Sequence, residues 1–256
     1  MLRSFAGDVF GVRFGNGVPW AVALHGWGRD RSDFEALAAT SGIDVVALDL
    51  PGFGASGPPG VPWGTPEYAE AVLPALVELA AAAGGPLVLL GHSFGGRVSL
   101  HLAVEHPEVV GALVLTGVPL LARRGPRPKS PPAFRLLRRA HRLGLVGDKA
   151  MERARSRYGS ADYRRAEGVM RPTFVRVVNE NYAEALTALR CPVEMVWGDR
   201  DDAVPPDVAE RAAAMVQGAR LEILEGIGHM VPLEAPDALA RALERARLRM
   251  QGEERR

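Results

Sequence analysis

Short runs of aliphatic and β-branched residues recur along the chain, each followed by a stretch with helical spacing. The runs near 9–14, 20–24, 45–48, 87–90, 113–116, 193–197 and 221–224 predict strands, and helices are predicted near 31–39, 66–83, 94–106, 207–216 and 236–249. Strand and helix alternating in this way predict an α/β fold, a mostly parallel central sheet flanked by helices on both faces. The charged tail over 247–256 is expected to fray.

The alternation stops between 119 and 190. This interval holds several helical stretches, many arginines and no convincing strand, and it starts with a loop rich in Pro, Gly and Arg over 123–132. It predicts a helical cap (119–190) inserted into a core built from 1–118 and 191–256. Such an insertion lies over the C-terminal edge of the sheet, where open α/β folds bind ligands.

With 256 residues the chain can bury one large core, and its 47% hydrophobic and 24% charged residues are ordinary for a soluble globular protein. A formal net charge of +1 argues against a nucleic-acid partner. The near-neutral total hides an asymmetry. Residues 119–190 carry 15 Arg and 2 Lys against 6 Asp or Glu, a net +11, which leaves a net −10 elsewhere. A solvated helix face accounts for this, as does a cap that attracts an anionic substrate or an acidic partner. Apolar residues among the arginines, such as Phe134, Leu136, Leu143, Leu145, Phe174 and Val178, either line an acyl pocket or attach the helices to their neighbours. The single cysteine, Cys191, excludes an internal disulfide. The first residues lack the apolar run of a signal core, and no stretch is long enough to span a bilayer, so a cytoplasmic location is expected.

The densest chemistry is Gly91-His92-Ser93-Phe94-Gly95, between an apolar strand and a helix. A serine at that sharp turn is held in a strained backbone conformation, which glycines two positions either side leave room for. The hydroxyl is lifted clear of the sheet at a helix N-terminus, and Ser93 reads as a nucleophile. A serine hydroxyl needs a base at neutral pH, and the base needs a partner that fixes its tautomer. Of six histidines, His229 in Gly226-Ile227-Gly228-His229-Met230 is best placed, in a loop between the last strand and the final helix. The acid is expected just past the strand at 193–197, where Asp199, Asp201 and Asp202 all stand and spacing alone does not choose. For an oxyanion, Phe94 offers one backbone N–H, and Trp27, in His25-Gly26-Trp27-Gly28, offers the second.

Taken in order, His25-Gly26-Trp27-Gly28, Asp49-Leu50-Pro51-Gly52-Phe53-Gly54, the serine elbow, Gly198-Asp199-Arg200-Asp201 and Gly228-His229 resemble the landmarks of the α/β-hydrolase superfamily, in particular its capped, single-domain bacterial serine hydrolases of carboxylesterase type. The resemblance implies Asp201 as the acid, completing a Ser93–Asp201–His229 triad. It implies cleavage of a small carboxylic ester or thioester, with an acyl chain on an acidic carrier protein as one form of substrate. Ser93 at the elbow sets the chain apart from haloalkane dehalogenases and epoxide hydrolases, which carry a carboxylate there. Carbon–carbon hydrolysis of ring-cleavage products, and ligand binding without turnover, are the rival readings. No nucleotide, flavin or metal motif appears, and no cofactor is implied.

Overall fold

The computed structural model describes residues 1–122, 131–158 and 160–253. Most of the loop expected over 123–132, and the last three residues of the tail, lie outside them. The strands are β1 (Leu2–Phe5), β2 (Val9–Phe14), β3 (Ala21–Leu24), β4 (Val45–Leu48), β5 (Leu87–His92), β6 (Val110–Thr116), β7 (Val193–Gly198) and β8 (Arg220–Leu224). They form one sheet in the order β1-β2-β4-β3-β5-β6-β7-β8. β1, β2 and β4 pair antiparallel at one edge, and every other neighbour is parallel.

Parallel strands need crossovers, and helices supply them. α1 (Glu35–Ser41) joins β3 to β4, α2 (Thr65–Ala83) joins β4 to β5, α3 (Phe94–Glu105) joins β5 to β6, and α9 (Pro206–Ala213) joins β7 to β8. The short α10 (Val231–Glu234) and the long α11 (Pro236–Gln251) close the chain. β3, β4 and β5 are buried at every position, because helices cover both faces of the sheet. Their side chains alternate between two cores. Val22, Leu24, Val46, Leu48, Leu87 and Leu89 pack with α2 and α3, whereas Ala21, Ala23, Val45, Ala47, Val88 and Leu90 pack with α1 and α11. On β3 and β4 the α2–α3 side takes the larger residues, while alanines let α1 and α11 approach closely.

Two elements differ from expectation. β1 carries no apolar signal because three of its four residues are exposed, and it is held by its ladder with β2. The tail does not fray from residue 247, since α11 continues to Gln251. Its last turn is pinned from inside. Arg249 reaches the buried carboxylate of Glu194 on β7 at 2.6 Å and the Val193 carbonyl at 3.2 Å, beside Arg245 at 3.0 Å from the same carboxylate.

Between β6 and β7 lie α4 (Pro132–Arg142), α5 (Asp148–Tyr158), α6 (Ala161–Arg165), α7 (Met170–Val177) and α8 (Ala183–Ala188). The later part of this segment is tied to the entrance of α2. Glu180 accepts from the Thr65 N–H at 3.0 Å, and the Thr173 hydroxyl accepts from the Trp63 N–H at 3.2 Å. These bonds join polar groups that burial would otherwise leave unpaired.

Candidate active site

β5 ends at His92 and α3 begins at Phe94, so Ser93 makes the whole turn, with φ 50° and ψ −110°. Positive φ is costly for a residue with a Cβ and persists only where the surroundings enforce it. Here they do. The Ser93 N–H donates to the Thr116 carbonyl at the end of β6 at 2.9 Å, and the Gly95 N–H donates to the His25 carbonyl at 3.0 Å. A Cβ at Gly95 would collide with the Leu24 carbonyl, and one at Gly91 with the backbone of Gly96. Both glycines are thus required by close approach.

The loop after β3 is fixed by His25. Its Nε2 accepts from the Leu50 N–H at 3.0 Å, which leaves the proton on Nδ1 to donate to the Gly26 carbonyl at 2.7 Å. Burial pushes this imidazole's pKa down, so it stays neutral in that role. Beyond it, Trp27 packs edge-on against Phe94, ring centroids 5.2 Å apart.

His229 stands in the loop between β8 and α10. Its Nδ1 lies 2.8 Å from Asp201 Oδ2, while Asp201 Oδ1 accepts from the Val204 N–H at 2.7 Å. A carboxylate can only accept, so the proton sits on Nδ1 and Nε2 keeps a lone pair. The other two acids of the turn are placed differently. Asp199 accepts from the Gly226 N–H at 2.7 Å, closing the turn after β8, and Asp202 is exposed. The loop itself is held by Glu234, whose carboxylate accepts from the N–H groups of Gly228 at 2.8 Å and Met230 at 3.1 Å. Gly117, with φ +60°, has no room for a Cβ, which would stand 2.8 Å from the His229 ring.

A cavity of about 290 Å³ brings these groups to one place. Ser93, His229, Trp27 and Phe94 all line it, together with Phe174, Val177 and Val178 from α7 and its end, and Ala203 and Val204 from the turn after β7. A second cavity of about 430 Å³, lined by Gly28, Phe53, Arg165 and Met170, shares Trp27 and Asp162 with the first. Of the apolar residues among the arginines, for which pocket lining and helix attachment were both open, Phe174 and Val178 line the first cavity, while Leu136, Leu143 and Leu145 are exposed.

Arg97 and His92 had drawn no catalytic or binding role in the sequence. Arg97 stands one helical turn past Ser93, is buried, and also lines the first cavity. It donates to the Val177 and Pro119 carbonyls, both at 3.0 Å. An arginine inside the apolar stretch of α3 was the available signal. His92 is buried beneath the His229 loop, and its Nε2 donates to the His229 carbonyl at 3.1 Å. Burial and the neighbouring His229 lower its pKa to about 3. An unfolded His92 would titrate near 6.5, so between these values the unfolded chain binds the extra proton. The stabilisation is therefore complete above pH about 6.5 and is lost as pH falls toward 3. We expect His92→Gln to lose less unfolding free energy than the parent between pH 7 and pH 4.5, by on the order of 2 kcal/mol in urea titrations. Parallel losses in the two proteins would refute this.

Among the described residues, Glu70, Glu105 and His106 alone bring three possible metal-binding atoms within 4.8 Å of one another. They are at the far end of α3 from Ser93 and accessible to solvent.

Residues 21–242 match the model of the alpha/beta hydrolase family. Among curated proteins, a pimeloyl-[acyl-carrier protein] methyl ester esterase of Aromatoleum aromaticum is 30% identical, aligned over 88% of this chain and 97% of its own. A 2-hydroxy-6-oxononadienedioate/2-hydroxy-6-oxononatrienedioate hydrolase of a Pseudomonas species is 27% identical over 87% and 86%. Among solved structures, the CarC serine hydrolase of carbazole degradation superposes with a TM-score of 0.71 at 22% identity, covering 96% of this chain and 98% of that one. A thermophilic esterase from Thermogutta terrifontis gives 0.68 at 22% identity over 94% and 93%. Matched along most of its length by the family model and by a 30% identical relative, and folded on the same sheet, the chain belongs to the alpha/beta hydrolase family.

Proposed function

We propose that this hydrolase cleaves small carboxylic esters or thioesters through an acyl-enzyme intermediate. The observation that carries the reading is His229, oriented by Asp201 at 2.8 Å and bordering the same cavity as Ser93. Nε2 of His229 takes the Ser93 proton as the hydroxyl oxygen attacks the carbonyl. The carbonyl π electrons move onto oxygen, where the N–H groups of Trp27 and Phe94 stabilise the charge. The tetrahedral intermediate collapses, the ester bond breaks, and the imidazolium returns its proton to the departing alcohol or thiol. Water, deprotonated by His229, then attacks the acyl-enzyme and releases the acid with Ser93 restored. Residues 119–190 act as a cap over the site, since Phe174, Val177 and Val178 supply its apolar wall. A cavity of about 290 Å³ suits an acyl group of modest size.

A fluorophosphonate should label the chain stoichiometrically, with the mass increment on the peptide holding Ser93, and p-nitrophenyl esters should be turned over. Label on another residue, or none, would dismiss the reading. The Pseudomonas relative makes carbon–carbon cleavage the second reading, and a dienone ring-cleavage product consumed far faster than simple esters would favour it.

A further inference from the structure

None of the α4 residues is fully buried. The helix carries four arginines and no acid, and its contacts with α5 include Phe134 against Tyr158, ring centroids 5.8 Å apart. Helical geometry sorts its residues into three strips. Phe134, Leu137 and His141 turn toward α5 and are half-buried. Leu136 and Leu143, seven positions apart, form one ridge that is 70% and 65% exposed. Arg135, Arg138, Arg139 and Arg142 fan out beside that ridge, all exposed. Past the end of α4, Leu145 is 76% exposed. Among the described residues, none of the four arginines pairs with a carboxylate. Three large aliphatic side chains in water, next to four unpartnered cations, ask for a surface that takes both.

We infer that α4 docks on an anionic lipid surface. The leucine ridge enters the boundary of the acyl chains, and the guanidinium groups meet lipid phosphates, in the manner of basic amphipathic helices that lie in an interface plane. An acidic protein would answer the arginines but would need an apolar patch matched to the leucine ridge, whereas an anionic bilayer presents charge and an apolar layer together, so the combination favours lipid. No helix among the described residues is long and apolar enough to cross a membrane, and docking is peripheral. The segment that follows α4 carries Phe174 and Val177, which line the cavity above Ser93, so docking sets that cavity beside a source of amphiphilic esters. This inference is independent of Ser93 chemistry.

The test is co-sedimentation of the full chain with vesicles of phosphatidylglycerol and phosphatidylcholine in equal parts, against phosphatidylcholine alone. Binding is expected to the anionic vesicles only and to weaken as salt rises. The double variant Arg135→Gln/Arg139→Gln should lower partitioning about 30-fold, and Leu136→Ser/Leu143→Ser at least about tenfold. Both should keep the parent's turnover of a soluble short-chain ester, because α4 has no buried residue to lose. Ser93→Ala should bind vesicles as the parent does, which separates docking from catalysis. Equal binding to both vesicle types overturns the inference, as does undiminished binding of the leucine variant. Capture of an acidic carrier protein through these arginines, with no vesicle binding, assigns the face to a protein instead.

Discussion

Replacing Ser93 by alanine is expected to lower ester turnover by about 10⁴-fold or more while the protein stays folded. In the proposed mechanism this hydroxyl forms the acyl bond. On that mechanism, what remains after its loss is the binding and charge stabilisation assigned to Trp27 and Phe94, with water as a poor nucleophile. Alanine keeps the Cβ and the same backbone demand at φ 50°, and the Ser93 N–H still donates to Thr116. Circular dichroism and the unfolding midpoint should therefore match the parent. Turnover within tenfold of the parent, in a folded variant that fluorophosphonate no longer labels, would remove Ser93 from the mechanism.

Asp201→Asn should cost kcat on the order of 10⁴-fold, through the tautomer of His229. The two oxygens of Asp201 have different partners, Val204 N–H on Oδ1 and His229 Nδ1 on Oδ2. An asparagine must keep its oxygen toward the Val204 N–H, because the reverse would set two donors against each other. Its amide N–H groups then face Nδ1, which must accept, and the ring proton moves to Nε2. The nitrogen that the proposed mechanism uses as the base for Ser93 can no longer take a proton. Restored activity at higher pH is expected only if hydroxide replaces the base, so the kcat profile should rise with pH without a plateau near neutrality. A loss smaller than tenfold would mean that another group orients the imidazole.

Much of this arrangement was readable in the chain. The alternation of apolar runs and helical stretches marked seven of the eight strands, and in β3 to β7 burial on both faces leaves a nearly unbroken aliphatic signature. β1 escaped because an edge strand with exposed side chains depends on backbone pairing, which leaves no pattern. Ser93 and His229 stood out because each needs its own glycine-rich turn. Asp201 did not, with three carboxylates within four positions, and resemblance alone favoured it. In the structure only the third dimension separates them, with Asp201 at His229, Asp199 accepting from Gly226 and Asp202 on the exposed side of the turn. The charge of 119–190 was visible only as a sum. Which arginines are consumed locally, as Arg171 is by Glu152 at 2.9 Å and Arg176 by Glu67 at 2.5 Å, depends on contacts between helices. Arg97 was hidden for the same reason, since its acceptors stand 22 and 80 residues away.

That guanidinium has a mechanical consequence. One rigid plane grips the end of α7 and the strand-exit segment at Pro119, and its stem rises from the helix that begins just after Ser93. Lifting the roof of the pocket must either rupture two charge-assisted bonds or drag α3 along with it. Any displacement of that roof and the position of Ser93 are thereby geared together.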